Sequence, residues 1–551
     1  MKRSPLQKVR SEYKPKLPKA LQGSVKVKIG EATESVADQE EIKKLFPHTY
    51  GMPIVEFLPT QEKETVEEPF NVGVILSGGQ APGGHNVISG LFDGLKRLNN
   101  ENRLYGFLMG PSGFINHEYK ELTAEYIDEF RNTGGFDIIG SGRTKLETPE
   151  QFEAGLKILR ELKIKALVIV GGDDSNTNAA VLAEYYKNKG AGIQVIGVPK
   201  TIDGDLKNKW IETSFGFDTA CKVYSEVIGN IQRDCNSAKK YYHFIKLMGR
   251  SASHIALECA LETQPNICLI SEEVLAKKMT LDNIVNYICY VISERAKSGW
   301  NFGTVLVPEG LIEFIPSMKD LIAELNDVLA ERSSELDGLS HDEKLEKIHK
   351  MLSPANASLY HSLPKHIALQ LSLDRDSHGN VQVSLIQTES LLSEMVSKRL
   401  AEMKKKGEYN GKFNAQHHFF GYEGRCADPT NFDADYTYAL GVNAAMLINS
   451  GLTGYMSSVR NLTEKSENWI AGGIPITMMM NMERRHGHMK PVIQKALVNL
   501  EGRPYKTFAS MREELAMNTL YQYPGPIQYF GPAEVCDRPS MTLLLEHDKE
   551  V

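Results

Sequence analysis

Short runs rich in valine and isoleucine recur along the chain with helical stretches between them, and this alternation narrows the possible folds more than any other feature. The runs are NVGVIL (71–76), KALVIV (165–170), QVIGVP (194–199), HFIKLM (243–248), NICLI (266–270) and GTVLVPEG (303–310). Amphipathic stretches lie at 86–99, 175–188 and 280–297. Strands this apolar suit sheets covered on both faces, and their alternation with helices indicates βαβ units and largely parallel sheets. The class expected is α/β. A chain of 551 residues exceeds one ordinary domain, so two or more packed units are expected.

The first 67 residues, with Pro-rich and charged pieces and no clear period, read as an N-terminal extension. Residues 68–235 read as one α/β domain and 236–430 as a second, interrupted at about 311–380 by a polar helical insertion. Residues 431–551 then complete both. The N-terminus is basic but lacks the apolar core and cleavage site of a secretory signal, and no stretch approaches a membrane span, so a cytoplasmic protein is expected. Seven cysteines in no CxxC or zinc-ligand spacing suit a reducing compartment and read as buried small hydrophobes. A net charge of -7 gives no broad basic surface for nucleic acid or anionic membrane, so positive charge for an anionic ligand must be local.

In open α/β sheets ligands bind beyond the carboxyl ends of the strands, and there the chain gathers glycine and charge. LSGGQAPGGHN places Gly78, Gly79, Gly83 and Gly84 between a strand and a helix, as an anion cradle or a tight structural turn. Neither a Walker loop nor GxGxxG occurs. GGFDIIGSGRTK sets Arg143 and Lys145 after Gly140 and Gly142, suited to a phosphate or to plain surface charge. VIVGGDDSNTNAA ends a strand at Asp173 and Asp174, which either cap the next helix or hold Mg²⁺ on a phosphate. VIGVPKTIDGDL is the most specific: Lys200, Thr201, Asp203 and Asp205 put a cation, a hydroxyl and two carboxylates in one turn. Phosphoryl transfer needs such a kit, a base for the acceptor's proton and cations for the moving charge.

GGQAPG, GGDD, PKTIDGD, MGR (248–250), PEG (308–310) and GYEGR (421–425) occur in the order found in phosphofructokinases, and the chain resembles their long pyrophosphate-dependent class. The resemblance spans roughly residues 70–430 and continues through NWIAGGIPITMMM. It implies two doubly wound Rossmann-like domains of mostly parallel sheet, and pyrophosphate and fructose 6-phosphate as substrates with Mg²⁺ as cofactor. By the same resemblance Asp203 is the base, with Thr201 and Asp205 beside it, and Asp173 is the Mg²⁺ ligand. Gly79, Arg143, Lys200 and Asp174 bind the donor, Lys200 and Asp174 acting in catalysis. Met248, Gly249, Arg250 and Glu309 grip the sugar, while Tyr422 and Arg425 hold its 6-phosphate. Lys240 and Tyr241 sit where family members reach into a neighbouring subunit, which implies at least a homodimer.

The resemblance leaves two alternatives on the same fold, an ATP-dependent enzyme and a non-catalytic regulatory subunit. ATP-dependent relatives carry glycine at position 174 and lack a lysine at 200, which favours pyrophosphate here. A regulatory subunit would have lost the base or the metal ligand, and both Asp173 and Asp203 are present. Lipid and NAD kinases share a GGD strand end but have no place for MGR, PEG and GYEGR.

Overall fold

The computed structural model describes residues 3–61, 68–332, 335–336, 338–372, 385–485 and 488–526. Its strands, in chain order, are β1 (Ser24–Ala32), β2 (Pro53–Thr60), β3 (Asn71–Leu76), β4 (Arg103–Phe107), β5 (Tyr119–Glu121), β6 (Ile164–Gly171), β7 (Gln194–Pro199) and β8 (Tyr241–Leu247). There follow β9 (Ile267–Cys268), β10 (Phe302–Pro308), β11 (Ala415–Phe420), β12 (Tyr455–Arg460), β13 (Ile470–Pro475), β14 (Met480–Arg485) and β15 (His488–Ile493). Nine form one sheet in the order β1-β2-β13-β12-β7-β6-β3-β4-β5, and four form a second, β11-β8-β10-β9. β14 and β15 make a separate antiparallel hairpin. The second sheet is parallel throughout, and the first is parallel from β12 to β4 with antiparallel strands beyond.

Period-two alternation explains why the central strands are apolar throughout. Val72, Val74 and Leu76 of β3, with Ala166, Val168 and Val170 of β6, enter one core. Ile75, Leu167 and Ile169 enter the core on the opposite face. Helices Gly84–Leu98 and Asn431–Asn449 cover the first face and cross at very short range. A Cβ on Gly90 would lie 2.2 Å from the Tyr438 carbonyl oxygen, and one on Gly441 2.1 Å from that of Val87. Glycine is therefore a packing requirement at both positions.

Beyond β10 the chain is helical at Pro316–Arg332, His341–Met351, Pro354–Ser362 and Lys365–Leu371, and these helices share a core with the second sheet. Residues 3–61 differ from the expected extension without a clear period. β1 and β2 pair with each other, and β2 joins β13 to widen the main sheet. Earlier residues dock on the helix Asn431–Asn449, where the Tyr13 hydroxyl and the Lys16 N–H both donate to Asp435 Oδ1, at 2.9 and 2.8 Å. Of the described cysteines only Cys426 is exposed, and all are free thiols; Cys536 lies outside the described residues. No helix among the described residues is long and apolar enough to cross a membrane.

Candidate active site

After β3 the chain steps to β4 on one side and then returns to β6 on the other, so the carboxyl ends of β3 and β6 flank a topological switch point. Backbone hydrogen bonds tie the loops there into one platform. Ser77 N–H donates to Val170 O at 2.8 Å, Gly78 N–H to Gly142 O at 2.9 Å, and Lys200 N–H to Gly171 O at 2.9 Å. Gly78 turns with φ +87°, a conformation that glycine adopts without strain.

Three cations close on these glycines. A Cβ on Gly79 would stand 3.5 Å from Arg425 Nη1 and 3.7 Å from Arg143 Nη2, and one on Gly78 would stand 3.5 Å from Lys200 Nζ. Lys200 is buried, and burial with help from the Arg425 charge pulls its pKa down to about 8, against the pull of Asp203, Asp173 and Asp205. Like charges crowded this closely suit an anion that spans them. Arg425, expected on the sugar side, thus stands beside the donor loop as well; its guanidinium lies 4.8 Å over the ring of the exposed Tyr422.

Carboxylates face this cluster. Asp203 N–H donates to Thr201 Oγ1 at 3.1 Å, which fixes the turn. Burial raises the Asp203 pKa and the Glu309 charge adds to this, while Lys495 and Lys200 oppose it. Asp205 is buried, and burial and the Asp203 charge push its carboxyl up as well. Asp173 and Asp174 begin the helix Asp173–Asn188, where the helix dipole favours them. Asp173 Oδ2 is buried and accepts no hydrogen bond, whereas Asp174 is exposed.

The second sheet delivers its residues from the same ends of its strands. Gly249 N–H, just past β8, donates to Glu309 Oε2 at 2.9 Å, just past β10. Glu309 is buried, which raises its pKa, with the Gly249 N–H and Lys246 opposing. Met248 is buried, and Arg250 pairs with Glu313 at 3.2 Å. Lys240 and Tyr241 lie at the opposite end of β8. At about 3.3 Å per residue that strand places them roughly 20 Å or more from Met248 and Arg250, so one chain does not bring both groups to one site.

One residue of the cluster carries no motif. Lys495 Nζ lies 3.5 Å from Asp173 Oδ2 and 3.9 Å from Asp205 Oδ2, and donates to Ser251 Oγ at 2.6 Å. Its sequence signal is the one shared by the other site residues, a charge soon after a strand, here two residues past β15.

A family model described as Phosphofructokinase matches residues 71–448. The chain is 63% identical over 546 residues to the pyrophosphate–fructose 6-phosphate 1-phosphotransferase of Porphyromonas gingivalis, covering 99% of each chain. It is 56% identical over 553 residues to the protein of the same name from Treponema pallidum (strain Nichols), covering 98% of this chain and 96% of that one. The solved pyrophosphate-dependent phosphofructokinase from Marinobacter aquaeolei superposes with a TM-score of 0.53 at 16% identity, over 82% of this chain and 93% of that one, a likeness of fold. Ordered strand-end motifs, a family match across most of the length and near-complete alignment with these relatives lead to one assignment: the chain belongs to the phosphofructokinase family.

Proposed function

We propose that this protein reversibly transfers a phosphoryl group from pyrophosphate to the 1-hydroxyl of fructose 6-phosphate, giving fructose 1,6-bisphosphate and phosphate. The observation that carries the reading is the meeting of Arg143, Lys200 and Arg425 at Gly78 and Gly79, opposite the carboxylates of Asp173, Asp203 and Asp205. Asp203 takes the proton of the 1-hydroxyl, and burial, with the Glu309 charge, raises its pKa above the ordinary carboxylate value, which favours its accepting a proton. In the reverse direction the same carboxyl returns that proton. Lys200, Arg143 and Arg425 neutralise charge on the transferred group and on the departing phosphate.

Asp173 would hold Mg²⁺, its buried Oδ2 offering a hard oxygen that no hydrogen bond occupies. Among the described residues no three His, Cys, Asp or Glu side chains group to hold a metal ion. One such carboxylate suits Mg²⁺, which takes one or two carboxylates and completes its shell with substrate oxygens and water. Bound there, the ion would offset charge on the phosphoryl oxygens. On the acceptor side Met248, Gly249, Arg250 and Glu309 hold the sugar, with Thr201 and Asp205 beside the base and Tyr422 and Arg425 at the 6-phosphate. Lys240 and Tyr241 serve the site of a second subunit in a homodimer, which their place at the far end of β8 supports. The free thiols accord with a cytoplasmic enzyme.

Asp174 and Lys200 set the donor. Asp174 places negative charge where a bulkier, chain-like donor would pass, and Lys200 gives a compact, highly charged donor its attraction. Steady-state kcat/KM for pyrophosphate and ATP, with fructose 6-phosphate and Mg²⁺, tests this: pyrophosphate is preferred by the wild type, and Asp174→Gly with Lys200→Gly shifts the ratio toward ATP. A wild type that prefers ATP overturns the donor assignment.

A further inference from the structure

The segment that follows β15 crosses the seam between the two sheets. Ala496 N–H donates to Asp205 O at 2.7 Å, on the loop after β7, and Ala496 O lies 2.8 Å from His254 Nε2, on the helix after β8. Val498 N–H continues to Glu272 Oε1 at 2.9 Å. This double anchorage fixes where Lys495 points. Its ammonium, oriented by Ser251 Oγ, stands between Asp173 and Asp205.

We propose that Lys495 is a built-in counter-cation, which keeps these carboxylates at low affinity for a divalent metal until the donor's phosphates arrive to complete the metal's coordination. The inference rests on the reading of Asp173 as the Mg²⁺ ligand. A metal bound through Asp173 in the free protein would share the carboxylate with an ammonium already 3.5 Å from Oδ2, and like charges at that range oppose each other. Pyrophosphate reverses the balance, because its negative charge attracts the ammonium and the metal at once. Lys495 is thus a positioning residue that acts through Asp173 and Asp205.

The test is titration of Mn²⁺ into pyrophosphate-free protein, followed by the electron paramagnetic resonance of the free ion. Wild type and Lys495→Arg bind weakly, whereas Lys495→Met gains about tenfold or more in affinity, the equivalent of one lost repulsion of about 1.4 kcal/mol. Ser251→Ala, which only frees the ammonium, moves affinity the same way by a smaller factor and serves if Lys495→Met does not fold. Adding Asp173→Asn to Lys495→Met abolishes the gain. A folded Lys495→Met with wild-type Mn²⁺ affinity overturns the inference. So does a wild type that already binds Mn²⁺ as tightly without pyrophosphate as with it. A gain that survives Asp173→Asn overturns instead the metal assignment of Asp173. Loss of Mn²⁺-supported turnover in Asp173→Asn alongside an unchanged Lys495→Met removes only the counter-cation.

Discussion

Replacing Lys200 by methionine should stabilise the protein while disabling its donor site. Lys200 is 6% exposed, and its pKa of about 8 lies below the ordinary 10.5. Below about pH 8 the amine is charged in both folded and unfolded chains, so the folded state carries the full cost of burying it. Between about 8 and 10.5 the folded protein releases the proton while the unfolded chain still holds it, and stability rises with pH across that window. The distance between those values corresponds to roughly 3 kcal/mol, at 1.36 kcal/mol per pH unit. Methionine has a similar length and no charge, so Lys200→Met should be more stable than wild type by up to about 3 kcal/mol at pH 7. The advantage should shrink by roughly 2 kcal/mol when urea unfolding is repeated at pH 9.5. In the same variant the pyrophosphate KM should rise about 10- to 150-fold, the loss of one charge-assisted hydrogen bond. A difference in stability that does not change between pH 7 and 9.5, or a variant weaker than wild type at both, would refute the account of Lys200 as a buried charge retained for function.

Asp203→Ser should retain binding of both substrates and lose about two to four orders of magnitude in kcat, the contribution of a positioned base; near-normal turnover would remove Asp203 from that role. Arg425→Ala should weaken fructose 6-phosphate by about 1.5–3 kcal/mol and, because its guanidinium also stands at Gly79, raise the pyrophosphate KM as well. A sugar KM left unchanged would confine Arg425 to the donor pocket.

The strands bearing the site were legible because burial on both faces leaves an uninterrupted apolar run, and the chemistry begins where that run stops. NVGVIL and QVIGVP match β3 and β7 residue for residue. NICLI shrank to the two residues of β9, an edge strand for which only Val305 and Leu306 provide partners. β1 was missed although SVKVKIGEA alternates Val25, Val27 and Ile29. Its outer half faces solvent, Ile29 being 71% exposed, so the pattern reads as polar. Lys495 had no comparable local sign, since its place is set by hydrogen bonds to Asp205 and His254, more than two hundred residues away.

The pairing of β2 with β13 also has a bearing on synthesis. Val55 and Glu56 leave the ribosome early, yet their partners Gly473 and Gly472 follow only after roughly 400 further residues, about 20 to 80 seconds at ordinary elongation rates. Through that interval the β1–β2 hairpin has one edge destined for β13 and no strand to fill it. Such an edge invites pairing with other chains. Final closure of the main sheet is therefore among the last events in making the protein. A chain cut short before residue 470 would display that unfilled edge permanently and be a substrate for aggregation or quality control.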